Sequence, residues 1–245
     1  MLSGIMKGDT TRTKHDGIVH QICVETIRAF KTVQEPPDTI RHVNGGGQGM
    51  RPDVLTIHNT TSTIYDVKTV SPCTTHHNQS TLRLCHTKPC SVVEKRQDQV
   101  HKEYVNKAKA IDRKNGAPEP GPALAHLESF GRVQGLVIGP RGEASSDLHA
   151  LVERVCTVRA EKLVRESSYS LQAAKAVVKR GVCRRLGSTF VKYNMLCKRL
   201  RISILTGGSR SARARLKLQA RARSLNEEYY FLFGFGSRPF RGLRV

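Results

Sequence analysis

The chain has 245 residues, 38% of them hydrophobic and 5% aromatic, with no Trp, so it has material for a modest and mainly aliphatic core. Its net charge of +21 exceeds what a solvated surface needs and points to a polyanionic partner, DNA or RNA. No apolar run approaches the roughly 18 residues of a spanning helix, and the seven irregularly spaced cysteines do not form a disulfide framework.

The N-terminus, MLSGIMKGDTTRTKHDG, lacks the apolar core of a signal peptide, so an intracellular and nuclear location is expected. Residues 1–13 are expected to be flexible. Residues 14–31 then place Ile18, Ile22, Ile27 and Phe30 on about one helical face. A first strand is expected at 32–35, closed by Pro36 and Pro37, and NGGGQG at 44–49 reads as a flexible turn. Two strands follow, 54–57 and 63–70, rich in Thr, Val and Ile and joined by a turn at 59–62.

A polar loop then carries Cys73, His76, His77, Cys85, His86 and Cys90. These are zinc-ligand types without a C-x2-C pair, so scattered loop residues are the better reading than a Zn²⁺ site. The charged helix at 91–111 has Val92, Val93, Val100, Tyr104 and Ile111 as its inward positions. ALAHLES at 123–129 is read as the fourth strand, and three helices are expected at 145–165, 169–186 and 188–204. The expected fold is α/β: an αβββαβ core over 14–140, a basic helical extension over 141–223 and a tail over 224–245.

Asp53 opens the first strand of the central pair and Asp66 lies in the second, so the two carboxylates converge near one sheet end if the strands form a hairpin. Like charges at that separation call for a cation between them, and Mg²⁺ suits carboxylate oxygens while keeping waters. Lys68, two residues on from Asp66, shares its strand face, where it can serve an attacking water or offset charge on a phosphate. There is no G-x-S-x-G elbow for a serine hydrolase, and NGGGQG lacks the Lys-Ser/Thr of a P-loop.

Pro52-Asp53 followed by Asp66-Val67-Lys68 resembles the PD-(D/E)XK signature of the restriction-endonuclease-like nucleases. More narrowly, Lys14-His15-Asp16, Arg51-Pro52-Asp53, Val70-Ser71-Pro72, Glu128-Ser129-Phe130-Gly131, Arg184-Arg185-Leu186 and Lys198-Arg199-Leu200 resemble the endonuclease region of retrotransposon reverse-transcriptase polyproteins. The resemblance implies an endonuclease in which Asp53, Asp66 and the Val67 carbonyl bind Mg²⁺ and Lys68 serves the hydrolytic water. It also implies a further acid, Glu25 from the first helix or Glu128 from the fourth strand, and association with a reverse transcriptase.

From Ser167 to Asn226 there is no Asp or Glu, while 175–223 hold 15 of the 41 Lys and Arg residues. That arm is the expected phosphate-binding segment, with Lys179, Arg180, Arg184, Arg185, Lys198, Arg199 and Arg201 as its contacts. A non-catalytic nucleic-acid-binding protein that uses this arm is the alternative. A ribosomal-type RNA-binding protein would explain the charge but gives Asp53, Asp66 and Lys68 no role.

Overall fold

The computed structural model describes residues 3–36, 50–70, 84, 87–118, 120–139 and 141–205, with side chains within 14–196. The Gly-rich turn at 44–49, the loop Cys and His residues other than Cys90, and the tail at 224–245 lie outside the described residues. Helix α1 (Ser3–Thr26) leads to strand β1 (Lys31–Gln34), then β2 (Val54–His58) and β3 (Thr61–Thr69). Helices α2 (Pro89–Lys114) and α3 (Pro122–Ser129) precede β4 (Gln134–Ile138), and α4 (Ser146–Glu166) and α5 (Leu171–Leu205) follow. The fold is mixed α/β.

Two units can be distinguished, Arg12–Val191 and a second one made of Met1–Thr11 with Lys192–Val245. Of the second, helical backbone is described over 3–11 and 192–205. The helical backbone of α1 thus runs back through 3–13, the stretch expected to be flexible. No proline interrupts it, and extending an existing helix needs no second nucleation.

Within Arg12–Val191 the sheet has the order β1-β2-β3-β4, antiparallel except for the parallel β3–β4 pair. The β2–β3 hairpin turns on Asn59 and Thr60 between the paired His58 and Thr61. Asn59 takes φ 55°, a left-handed conformation that Asn tolerates better than most residues. One sheet face (Val54, Tyr65, Val67, Leu136, Ile138) packs with Ile18 and Ile22 of α1, Leu148, Leu151 and Val155 of α4 and Val182 of α5. On the other side Ile64 and Val133 pack with Val100, Tyr104 and Ile111 of α2 and with Leu124 and Leu127 of α3. Consecutive strand residues therefore feed opposite cores, as period-two alternation requires.

Three further sequence expectations change. Ile27, expected inward, is 63% exposed because α1 ends at Thr26, whose hydroxyl donates back to the Ile22 and Cys23 carbonyls. Residues 123–129 form helix α3 rather than the fourth strand. Pro122 sits in its first turn, and the buried Asp112 carboxylate accepts from Ala123 N (2.9 Å) and Leu124 N (3.0 Å). The fourth strand is instead QGLVI at Gln134–Ile138. The two helices expected at 169–186 and 188–204 are one, because a glycine such as Gly187 costs a helix only about 1 kcal/mol.

Candidate active site

The site forms where the β2–β3 ladder ends. Asp53 N donates to the Tyr65 carbonyl at 3.1 Å, one residue out of the ladder's register, so the chain bends at Asp53. Beyond that point the Val67 N–H and C=O have no strand partner on the β2 side, and buried backbone groups must find one. Side chains supply it. Asp53 Oδ2 accepts from Val67 N at 2.6 Å, and the Val67 carbonyl lies 3.0 Å from His15 Nε2.

Asp66 points into the sheet side covered by α2. It is 4% exposed, and its Oδ1 accepts from the Tyr104 hydroxyl at 3.0 Å. The Lys68 ammonium lies 2.5 Å from Asp66 Oδ2, as the shared strand face predicts. Oδ2 is a buried carboxylate oxygen with that ammonium as its charged neighbour. Burial pushes the Asp66 carboxyl up from the ordinary range; the Lys68 charge opposes this and the Asp53 charge adds to it. The two acids therefore sense each other across the strand end, and the tyrosine hydroxyl beside Asp66 is itself pushed up by burial and by that charge.

His15 is the residue that sequence reasoning did not assign to the site. Its Nε2 is 3.2 Å from Asp53 Oδ2, and its Nδ1 is 3.3 Å from Asp16 Oδ1. The hydrogen bond to Asp53 outweighs burial and raises the imidazole to about 9. A signal existed: 15, 18 and 22 fall on one helical face, and Ile18 and Ile22 are core residues. Tyr104 was legible only as an inward position of α2.

The two candidate further acids lie elsewhere. Glu128 is exposed on α3, not on a strand. Glu25 is 2% exposed but is enclosed by arginines: Arg159 at 2.8 Å, Arg185 at 2.5 and 2.9 Å, and Arg28 at 4.0 Å. Burial would raise its carboxyl, but the Arg185 hydrogen bonds and the three positive charges hold it below the usual range. Both oxygens are taken, so Glu25 fastens α1 to α4 and α5 and leaves nothing for a metal.

The basic arm divides in the same way. Arg180 and Arg184 are exposed on α5, whereas Arg185 is committed to Glu25 and Lys179 pairs with Glu153 of α4, as does Lys175 at 3.2 Å. The arm's cations thus take anions from other segments, which a count confined to 167–226 misses. Lys198, Arg199 and Arg201 lie in the α5 backbone, and their side chains are outside the described residues.

No protein-family model and no curated protein matches the chain. Among the described residues no three His, Cys, Asp or Glu side chains gather into a metal cluster, and no helix is long and apolar enough to cross a membrane. The donor set at the strand end is of another kind: two carboxylates and one main-chain carbonyl, all hard oxygens. Oxygens of this kind are what Mg²⁺ takes, few from the protein and the rest from water.

Proposed function

We propose that the protein is a Mg²⁺-dependent DNA endonuclease with a restriction-endonuclease-like αβββαβ core, of retroelement origin, acting in the nucleus in association with a reverse transcriptase. The observation that carries this reading is the gathering of Asp53, Asp66 and Lys68 at one strand end, with Asp66 buried beside the Lys68 ammonium and sensing the Asp53 charge. Helix α3 is an insertion between α2 and β4 in that order of elements.

In this reading Asp53, Asp66 and the Val67 carbonyl hold the metal. Bound there, Mg²⁺ supplies Lewis-acid polarisation of the phosphate and a bound water of lowered pKa. Lys68, 31% exposed, reaches from the buried acid toward solvent, where it orients the attacking water and offsets charge on the phosphoryl oxygens. Tyr104 fixes the Asp66 carboxylate in place. Attack of water forms one P–O bond as the P–O3′ bond breaks, leaving a 3′-hydroxyl suited to priming reverse transcription. Arg180 and Arg184 are the exposed contacts for backbone phosphates.

A second reading, a non-catalytic nucleic-acid-binding protein, is favoured by one observation. Lys68 and His15 already offset the charges of Asp66 and Asp53, so the site is balanced without a metal. Nicking of supercoiled plasmid in Mg²⁺ separates the two readings. The endonuclease reading expects nicking by the wild type that is abolished by EDTA and by Asp66→Ala; undiminished cleavage by Asp66→Ala removes that residue from the mechanism.

A further inference from the structure

We propose that His15 holds the cation position of this site, so that a divalent ion enters only by displacing its imidazole from the strand end. The inference rests on the cation-binding reading of Asp53, Asp66 and Val67. His15 Nε2 stands 3.2 Å from Asp53 Oδ2 and 3.0 Å from the Val67 carbonyl oxygen, two of the three groups assigned to the metal. A ring nitrogen close to both oxygens takes the ground that an ion bridging them would need.

The occupancy is built in at several levels. Ile18 and Ile22, on the same face of α1, are each 2% exposed, so core packing fixes the helical register that brings position 15 to the strand end. Asp16 Oδ1, 3.3 Å from Nδ1, holds the far side of the ring. Asp53 Oδ2 already accepts from Val67 N at 2.6 Å, so with the imidazole in place this oxygen has two partners. The ring is nevertheless 27% exposed, so it can turn out toward solvent without unpacking the core beneath it. His15 is thus a positioning residue that sets metal affinity.

The direction of the effect separates this role from the obvious alternative. A displaced imidazole opposes the ion, so removing it tightens binding; an imidazole that coordinates the ion supports binding, so removing it weakens it. The test is Mn²⁺ binding to the full chain, followed by electron paramagnetic resonance or calorimetry at one pH and ionic strength, without nucleic acid. The variants are His15→Ala, His15→Asn and Asp53→Asn. Asn can retain a donor near the Nδ1 position but cannot reach as far as Nε2, so it removes the strand-end contact with the least disturbance of α1. The proposal expects both His15 variants to bind Mn²⁺ about tenfold more tightly than the wild type, the factor that about 1.4 kcal/mol represents. Unchanged or weaker binding in His15→Asn overturns it, as does failure of the wild type and both His15 variants to bind. Asp53→Asn tells the two ideas apart. If it loses Mn²⁺ while the His15 variants behave as wild type, only the displacement idea fails; if it binds as wild type does, the metal reading falls and takes this inference with it.

Discussion

Replacing Glu25 with Gln separates a structural acid from a catalytic one. The change keeps the side chain's size and removes its charge, leaving Arg28, Arg159 and Arg185 facing a neutral amide at a 2% exposed position. Breaking a buried ion pair from one side costs about 3–5 kcal/mol. The three guanidinium side chains retain 19–29% exposure, so water screens part of the repulsion and the lower end, about 3 kcal/mol, applies. With a urea slope of about 2 kcal/mol per molar, the unfolding midpoint falls by about 1.5 M. The pH dependence has a definite sign. The Glu25 carboxyl is held below its ordinary value of 4.5, so its stabilisation is present above that pH and is lost as pH falls through the lower folded value. The gap between wild type and Glu25→Gln should therefore close on acidification, while Mn²⁺ affinity at neutral pH stays the same in both. A midpoint shift of less than about 0.3 M, or a loss of Mn²⁺ binding by the folded variant, would refute the structural assignment.

Three further perturbations have definite outcomes. Tyr104→Phe removes the donor to Asp66 Oδ1; since that bond favours the ionised carboxylate, the Asp66 carboxyl rises further and the pH profile of Mn²⁺ binding moves alkaline. An unmoved profile would show that the hydroxyl does not tune the acid. Gly121→Ala forces a Cβ into the Asp112 side chain that caps α3, and thermal unfolding should report a loss of about 1–3 kcal/mol. Arg180→Ala and Arg184→Ala should each lower the slope of log affinity for duplex DNA against log salt by about 1 with little change in stability. Arg185→Ala should chiefly destabilise the fold, and equal behaviour of all three would undo the division of the arm.

The hairpin and its charges were legible because local rules decide them. β-branched residues bound 54–58 and 61–69, and period two places Lys68 with Asp66. ALAHLES was not legible, since a seven-residue stretch with four apolar residues fits either a strand or a helix. What settles it is Pro122 together with the carboxylate of Asp112, eleven residues before Ala123. His15 shows the same division. Helical spacing puts it on the inward face, but its partners Asp53 and Val67 lie 38 and 52 residues away. Glu25 was placed correctly on α1 and given the wrong partners, because two of the three arginines that enclose it come from α4 and α5, 134 and 160 residues on. Where a functional side chain answers to a distant segment, composition and periodicity locate it but do not say what it does.

In the endonuclease reading the end of β3 binds a cation and hydrolyses phosphodiesters. Its most direct test is the single-turnover nicking rate of supercoiled plasmid by the wild type and by Asp53→Asn, measured across a Mg²⁺ titration. The wild-type rate should rise and saturate with Mg²⁺ and fall by about 100-fold or more in Asp53→Asn, in line with the several kcal/mol that metal catalysis supplies. Nicking that is independent of Mg²⁺, or equal in the two proteins, would contradict it.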